Sequence, residues 1–145
     1  MLFTTVLKDN KSFQRCYRKG KYVADNIVVA YFFPNGTPFN RMGITVSKKQ
    51  GNAVSRNRIK RIIRAAYRLN EEKFPIGYDI VFVGRNNVSK KTSRDIENFI
   101  NKRLLKEINK PFEKKSFKNK KSGKKWPLQE IRKNEISFYA ADKIL

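Results

Sequence analysis

A strand–helix–strand pattern in the middle of the chain limits its fold more than any other feature. Residues 41–47 alternate in character, which predicts a half-buried strand. Helical periodicity runs from Gly51-Asn52 to about Asn70, and Tyr78–Gly84 is a largely apolar run typical of a buried strand. This order of elements predicts an α/β fold. The alternation separates two faces of the first strand: Met42, Ile44 and Val46 on one, Gly43, Thr45 and Ser47 on the other.

Three elements are predicted before this unit. A short helix is expected from Asp9 to Lys19, because its apolar side chains recur at helical spacing and Gly20 follows as a stop signal. β-Branched and aromatic residues at 26–33, closed by Pro34-Asn35-Gly36, predict a strand that ends in a turn. Residues 21–24 are a candidate for a shorter strand.

One helix is predicted after the unit. Thr92 and Asp95 resemble a capping box, which marks a helix start. The apolar face of this helix contains Ile96, Phe99, Ile100, Leu104 and Ile108. The predicted order of elements is therefore α-β-β-β-α-β-α.

The charge of the chain indicates its class of partner. Its 145 residues include 34 Lys and Arg against 12 Asp and Glu, a formal net charge of +22. A compact domain with this charge repels itself unless a polyanion neutralises it, so a nucleic acid is the expected partner. A membrane partner is disfavoured, because no span, lipidation signal or amphipathic anchor is evident. The sequence also lacks a secretory signal pattern, which predicts a cytoplasmic location.

The chain offers little for protein-centred catalysis. Cys16 is its single cysteine and it has no histidine, which excludes an internal disulfide, a Cys/His zinc site and His-dependent triads. Cys16 is expected to be a small buried apolar residue. The acidic residues are scattered: Glu71-Glu72 and Asp95/Glu97 are interpreted as solvated or helix-terminal charges. Phosphodiester hydrolysis usually needs metal ions held by clustered carboxylates, so a nuclease acting through its own side chains is disfavoured.

The central helix predicts a phosphate-binding surface. Wound as an ideal helix, residues 56–69 have an apolar side that contains Ile59, Ile62, Ile63, Ala66 and Leu69. Arg56, Lys60, Arg64 and Arg68 are expected to follow one another on the outer side, with Arg61 beside them. A solvated helix face usually mixes Glu among its cations, and none occurs here before Glu71. Guanidinium groups that repel one another in this way suit phosphate binding; an idle basic surface is the alternative.

Residues 47–68, with the sequence SKKQGNAVSRNRIKRIIRAAYR, resemble the RNR signature of the bacterial ribonuclease P protein component family. The resemblance extends over roughly residues 8–109. It implies a four-stranded mixed sheet with three helices, similar to the second domain of ribosomal protein S five, and a left-handed crossover through the RNR helix, against the usual rule. We therefore expect an RNA-binding domain at 1–109. The Lys-rich extension at 110–145 is expected to be disordered at least to 125, and RNA binding, protein docking and no selected role all remain open for it.

The resemblance also implies two sets of site residues. Contacts with the catalytic RNA are expected from Lys48, Lys49, Arg56, Asn57, Arg58, Lys60, Arg61, Arg64 and Arg68. A cleft for the single-stranded 5′ leader of precursor tRNA is expected from Phe13, Tyr17, Val29, Tyr31 and Thr45. Rings suit this task, because every base can stack on them. The helical wheel puts Arg58 at the edge of the apolar face, partly structural, and Asn57 could instead have a local hydrogen-bonding or capping role. For Phe13 and Tyr17 the alternative is plain core packing.

The function implied by the resemblance is that of a subunit of ribonuclease P, which removes the 5′ leader from precursor tRNA. The partner RNA is expected to hold Mg²⁺ and perform the cleavage, with one protein for each RNA and no metal bound by the protein itself. A ribosomal or other structural RNA-binding protein is the main alternative. A DNA-binding regulator is a weaker one, because the strands do not suit a helix-turn-helix.

Overall fold

The computed structural model describes residues 2–85 and 88–112. The described elements are β1 (Thr4–Val6), α1 (Asn10–Lys19), β2 (Lys21–Ala24), β3 (Val28–Pro34), β4 (Asn40–Thr45), α2 (Ala53–Asn70), β5 (Tyr78–Gly84), α3 (Ser93–Phe99) and α4 (Leu105–Ile108). A π-helical stretch, Ile100–Leu104, joins α3 to α4, so the two form one continuous helical rod. Most of the predicted extension, residues 113–145, lies outside the described residues.

The strands of the described chain form one mixed sheet in the order β1-β4-β5-β3-β2. β4 lies parallel to β1 and to β5, whereas β3 lies antiparallel to β5 and β2. α2 connects the adjacent parallel strands β4 and β5, as the family resemblance implied. The left-handed course of this crossover stays a prediction.

The mixed α/β class and the order of the predicted elements are confirmed, with one additional strand. β1 was not predicted, because three residues are too few to show a period and their partner strand lies far along the chain. Thr4 pairs with Asn40 and Val6 with Met42. The amide of Leu7 continues the contact by donating to the carbonyl of Met42 at 2.9 Å. The sheet therefore has five strands in the described chain rather than the expected four.

Helices cover the sheet on both sides. α2 and the α3–α4 rod pack on one face in a core that includes Val28, Ala30, Phe32, Ile44, Ile59, Ile63, Tyr67, Ile80, Phe82, Ile96, Phe99, Ile100, Leu104 and Ile108. α1 packs on the other face in a second core formed by Leu7, Phe13, Cys16, Tyr17, Val29, Tyr31, Val81 and Val83. The α2 face was predicted correctly apart from Leu69, which is exposed.

The prediction of a half-buried β4 was wrong. Gly43, Thr45 and Ser47, expected on the open face of that strand, are all buried. Gly43 lies against Phe13 and Thr45 against Tyr17, and small residues on this side allow α1 to approach closely. Alternation of size thus reflects two differently shaped buried faces.

Among the described residues, no helix is both long enough and apolar enough to span a membrane.

Candidate RNA interface

Local interactions define where α2 begins. After β4, a 3₁₀ turn (Lys48–Gln50) ends at Gly51, whose φ of +123° disfavours a side chain. Asn52 is the N-cap, and its Oδ1 accepts from the backbone N–H of Ser55 at 3.0 Å. Lys48 and Lys49 are exposed in the 3₁₀ turn. The predicted RNA-binding lysines therefore lie immediately before the capped end of the helix.

The outer side of α2 carries a cationic stripe. Its exposed members are Asn57, Arg61, Arg64 and Arg68, at positions i, i+4, i+7 and i+11. This spacing keeps the side chains in line along a helix of 3.6 residues per turn. We call these four residues the α2 stripe.

The predicted row of Arg56, Lys60, Arg64 and Arg68 does not all point outward. Lys60 is only 5% exposed, and Arg56 is half-buried. A strict spacing of four residues drifts by about 40° per step around a helix. The row therefore begins on the partly buried side of the helix and reaches solvent only at Arg64 and Arg68. The outward orientation predicted for Lys60 is corrected, and its contact with RNA stays a prediction.

Arg58 has the structural role that the helical wheel indicated. Its Nη2 donates to the backbone carbonyl of Lys91 at 3.0 Å, which ties α2 to the segment before α3.

The cap of α2 is provided by Asn52, so the capping alternative for Asn57 does not apply. Asn57 is exposed on the stripe beside Arg61 and Arg64.

The structure brings the five predicted leader-cleft residues together between α1 and the sheet. The hydroxyl groups of Tyr17 and Thr45 share a hydrogen bond of 3.1 Å. The rings of Tyr17 and Tyr31 meet edge to face with centroids 5.1 Å apart. With Phe13 and Val29, all five are at most 5% exposed. In this conformation they form part of the α1 core, the alternative that the sequence left open for Phe13 and Tyr17.

Partly exposed aromatic side chains border this core. Tyr22 is paired with Tyr31 across β2 and β3, and the two ring centroids are 5.7 Å apart. Phe33 lies two residues beyond Tyr31 on the same strand and is also only partly buried. Sequence reasoning missed both residues. Period-two alternation from Tyr31 to Phe33, together with the neighbouring strand at 21–24, was the available signal.

A charge cluster lies at the start of β4 and β5. The carboxylate of Asp79 is fully buried and accepts from Nε and Nη2 of Arg41 at 2.7 and 2.8 Å. It also accepts from Nη2 of Arg15 at 3.3 Å and from the amide of Asn35 at 3.1 Å. Four chain segments meet here, which no local sequence pattern could indicate.

Two titratable groups beside this cluster illustrate its electrostatics. Burial raises the pKa of the Cys16 thiol, and the nearby Asp79 carboxylate adds to the effect. Cys16 is fully buried, as predicted. Burial alone would raise the pKa of Asp9, but hydrogen bonds from Ser12 and the charge of Arg41 outweigh it and lower that pKa. Asp9 also caps α1 by accepting from the backbone N–H of Ser12.

Glu71 lies at the end of α2, as one of its two interpretations predicted, but it is not solvated. It is 3% exposed, and its two carboxylate oxygens accept from the backbone N–H groups of Leu2 and Phe3 at 2.8 and 3.1 Å. It therefore anchors the chain just before β1. Asp95 does have the predicted terminal role, in a capping box with Thr92. Within the described residues, no group of three Cys, Asp or Glu side chains is arranged to hold a metal ion.

Comparison with known proteins identifies the family. Residues 3–109 match the family model described as Ribonuclease P. The chain is 45% identical over 103 residues to the ribonuclease P protein component of Alkaliphilus oremlandii, an alignment that covers 71% of this chain and 90% of the relative. It is 44% identical over 104 residues to that of Clostridioides difficile, with 71% and 90% covered.

Solved structures agree with this result. The RNase P protein of Staphylococcus aureus is similar with a TM-score of 0.64 and 34% identity, over 74% of this chain and 98% of that protein. The RNase P protein from Thermotoga maritima is similar with a TM-score of 0.64 and 30% identity, over 72% and 98%. This chain, which carries the α2 stripe, therefore belongs to the family of ribonuclease P protein components.

Proposed function

We propose that this protein is the RNA-binding subunit of a ribonuclease P and assists a catalytic RNA in removing the 5′ leader from precursor tRNA. The observation that carries the proposal is the α2 stripe, an acid-free row of three exposed arginines and Asn57 on a capped helix, in a chain of this family. The cytoplasmic location expected from the sequence is part of the proposal.

The stripe suits contact with the phosphates of the partner RNA. Arg61, Arg64 and Arg68 each present a planar guanidinium group, which can donate two parallel hydrogen bonds to one phosphate. Lys48 and Lys49 extend the positive surface beyond the helix start. Release of counterions from the RNA would drive the association, so affinity should fall steeply with salt.

The leader is proposed to follow the α1 side of the sheet. Direct contact with Tyr17 and Tyr31 requires α1 to shift, because both rings are buried beneath it. In the described conformation a base reaches Tyr22 and Phe33 first. Stacking on such rings contributes about 1–3 kcal/mol per base and tolerates any sequence. This tolerance suits leaders whose sequences differ between tRNA precursors.

Cleavage is proposed to depend on Mg²⁺ held by the partner RNA. The buried carboxylates of this chain are already engaged, that of Asp79 by two arginines and that of Glu71 by backbone N–H groups. Asp95 accepts from Thr92 in its cap. Each of these three carboxylates thus has a structural partner, which supports a role of the protein in binding rather than in chemistry.

Cleavage of precursor tRNA at low Mg²⁺ by a bacterial ribonuclease P RNA tests the proposal, with and without the full-length protein. The protein should restore cleavage strongly for substrates with a leader and weakly for leaderless ones. Binding to the RNA without any rescue of cleavage by a cognate RNA subunit would instead favour a structural RNA-binding protein.

A charge-matched pair of variants tests the stripe itself. The variant R61A/R64A/R68A should bind the RNA subunit more weakly and show a smaller slope of log affinity against log salt, by nearly one for each phosphate that the protein no longer neutralises. The control R94A/K102A/K106A removes three exposed cations from the α3–α4 rod. Equal effects of the two variants would mean that only net charge matters.

A further inference from the structure

The sequence Val-Ser-Lys-Lys occurs twice in the chain, at residues 46–49 and 88–91. We call these segments the first and the second lysine turn, because each overlaps a 3₁₀ turn, Lys48–Gln50 or Val88–Lys90. The first follows β4 and precedes α2, and the second follows β5 and precedes α3. Since β4 and β5 are adjacent and parallel, their carboxyl ends lie at one edge of the sheet. Both lysine turns therefore leave the sheet at the same edge.

The two lysine turns are packed together by their valines. Val46 and Val88 are fully buried, and both lie over Gly84 at the end of β5. A Cβ atom at Gly84 would be 3.6 Å from Cγ2 of Val46 and 3.3 Å from Cγ1 of Val88. It would also be 3.5 Å from Cγ2 of Ile59, in the second turn of α2. In each segment a lysine follows two residues after the valine, a span of at most about 7 Å. Both lysine turns therefore lie beside the beginning of α2.

A hydrogen bond from α2 holds the second lysine turn in place. Nη2 of Arg58 donates to the backbone carbonyl of Lys91 at 3.0 Å. The backbone N–H of Lys91 donates in turn to the carbonyl of Val88 at 3.1 Å, which closes the turn. Arg58 thus fixes the course of the chain and does not use the lysine side chains. Because Arg58 and Arg61 are three residues apart on α2, the segment that Arg58 holds lies next to the α2 stripe.

The second lysine turn adds accessible positive charge to this edge. Lys90 is exposed and, like Lys49, forms no ion pair with a carboxylate of the described chain. Lys91 is half-buried and lies close to an acid: hydrogen bonds from Thr92 and, to a smaller extent, the charge of Lys91 lower the pKa of Asp95. The accessible charge of the second turn is therefore that of Lys90.

We propose that Lys48 and Lys49 of the first lysine turn and Lys90 of the second form one phosphate-binding site for the RNA subunit, with Arg58 as its positioning residue. This inference rests on the proposed function and deepens it. Ammonium groups from two turns at one edge can neutralise neighbouring phosphates of one RNA strand, and the counterions released add to the affinity. The site continues the α2 stripe around the start of the helix. Its phosphate contacts fix the orientation of the protein on the RNA and do not read sequence.

The affinity of the full-length protein for a cognate RNA subunit tests the site, measured between about 50 and 200 mM salt. K90Q/K91Q should bind more weakly, and its slope of log affinity against log salt should be smaller by about 0.9 for each phosphate that loses its cation. The affinity lost over this salt range should then shrink by about 3.5-fold for each such phosphate. K48Q/K49Q should have an effect of the same kind. The control K102Q/K106Q removes two exposed lysines from the α3–α4 rod and should change the slope much less.

A double-mutant cycle tests the role of Arg58. Arg58→Gln should weaken RNA binding in the wild-type background, because the second lysine turn loses its anchor. Its effect should be clearly smaller in the K90Q/K91Q background, where little charge remains to be positioned. Arg58→Lys keeps a donor for the Lys91 carbonyl and should retain most of the affinity. Thermal unfolding of each variant identifies a general loss of structure, which would lower affinity without this dependence on Lys90.

The outcomes distinguish this inference from the function on which it rests. If the wild type shows no salt-dependent binding to the RNA subunit, the proposed function fails. If the wild type binds but K90Q/K91Q matches K102Q/K106Q in affinity and slope, the site formed by the two lysine turns is refuted alone. Additive effects in the cycle would overturn the positioning role of Arg58. Weaker binding to precursor tRNA with unchanged binding to the RNA subunit would also refute the site, because its partner would then be the substrate.

Discussion

At the scale of single residues, Gly43 sets the distance between α1 and the sheet. A Cβ atom at this position would overlap the ring of Phe13, which packs directly on the glycine. The neighbouring Thr45 accommodates Tyr17 by a hydrogen bond between their hydroxyl groups. α1 therefore approaches the sheet most closely where β4 has no side chain.

Gly43→Ala should destabilise the protein by about 1–3 kcal/mol, because an added methyl group overpacks a closed core. Urea denaturation measures the change in the free energy of unfolding. Combining the substitution with Phe13→Leu removes the ring that clashes, so the double variant should be destabilised by less than the sum of the two single effects. Additive effects would show that Phe13 is not what excludes the methyl group.

Glu71 is a second residue with a role set by distant partners. Burial alone would raise the pKa of Glu71, but hydrogen bonds from Thr4 and from the N–H groups of Leu2 and Phe3 outweigh it. The pKa therefore lies below its ordinary value of 4.5. Because the unfolded chain takes up the proton first as pH falls, the stability that Glu71 contributes is present above about pH 4.5. It is lost as pH falls through the lowered folded-state value.

Glu71→Gln should lower the free energy of unfolding by roughly 1–3 kcal/mol at pH 7, since bonds to a charged acceptor are weakened. Because Gln does not titrate, the variant should also lose less stability between roughly pH 6 and pH 3 than the wild type does. Urea denaturation across that pH range measures the difference. Glu72→Gln is the matched control, because Glu72 is exposed. The same pH profile for both variants would contradict the role given to Glu71.

At the scale of elements, the first turn of α2 depends on its cap. Asn52 satisfies the N–H of Ser55, one turn before the RNR residues. Asn52→Ala should cost about 1 kcal/mol and fray the turn that carries Arg56. RNA affinity should then fall together with helix stability, measured by thermal unfolding and by binding to the RNA subunit. Asn52→Ser retains a capping oxygen and should restore both; a failure of the Ser variant to restore either would contradict capping as the cause.

At the scale of the whole molecule, the net charge of +22 opposes compaction. The Debye length falls from about 30 Å at 0.01 M salt to about 8 Å at 0.15 M. We therefore expect the Tm to rise with salt over this range, and more with sulfate than with chloride because sulfate also strengthens apolar burial. Differential scanning calorimetry in matched sodium salts measures it. A Tm that falls or stays constant would mean that charge repulsion is not a main destabilising term.

The sequence by itself determined every described helix and strand except β1, and also the family, because these depend on local patterns. Apolar side chains recur every three to four residues in α2 and α3, and the β-rich runs at 28–34 and 78–84 are long enough to be recognised. The segment at 47–68 joins a helix start to clustered arginines within 22 residues. None of these features needs a partner from elsewhere in the chain.

Only the tertiary structure decided which side chains are covered by distant segments. β1 exists because Thr4 pairs with Asn40, and Glu71 is buried because Leu2 and Phe3 reach it. The predicted cleft rings are buried between α1 and the sheet, and Lys60 lies on the buried side of α2, because a four-residue spacing does not keep one orientation along a helix. A local period shows on which face of a helix or strand a residue lies. What packs against that face depends on segments tens of residues away.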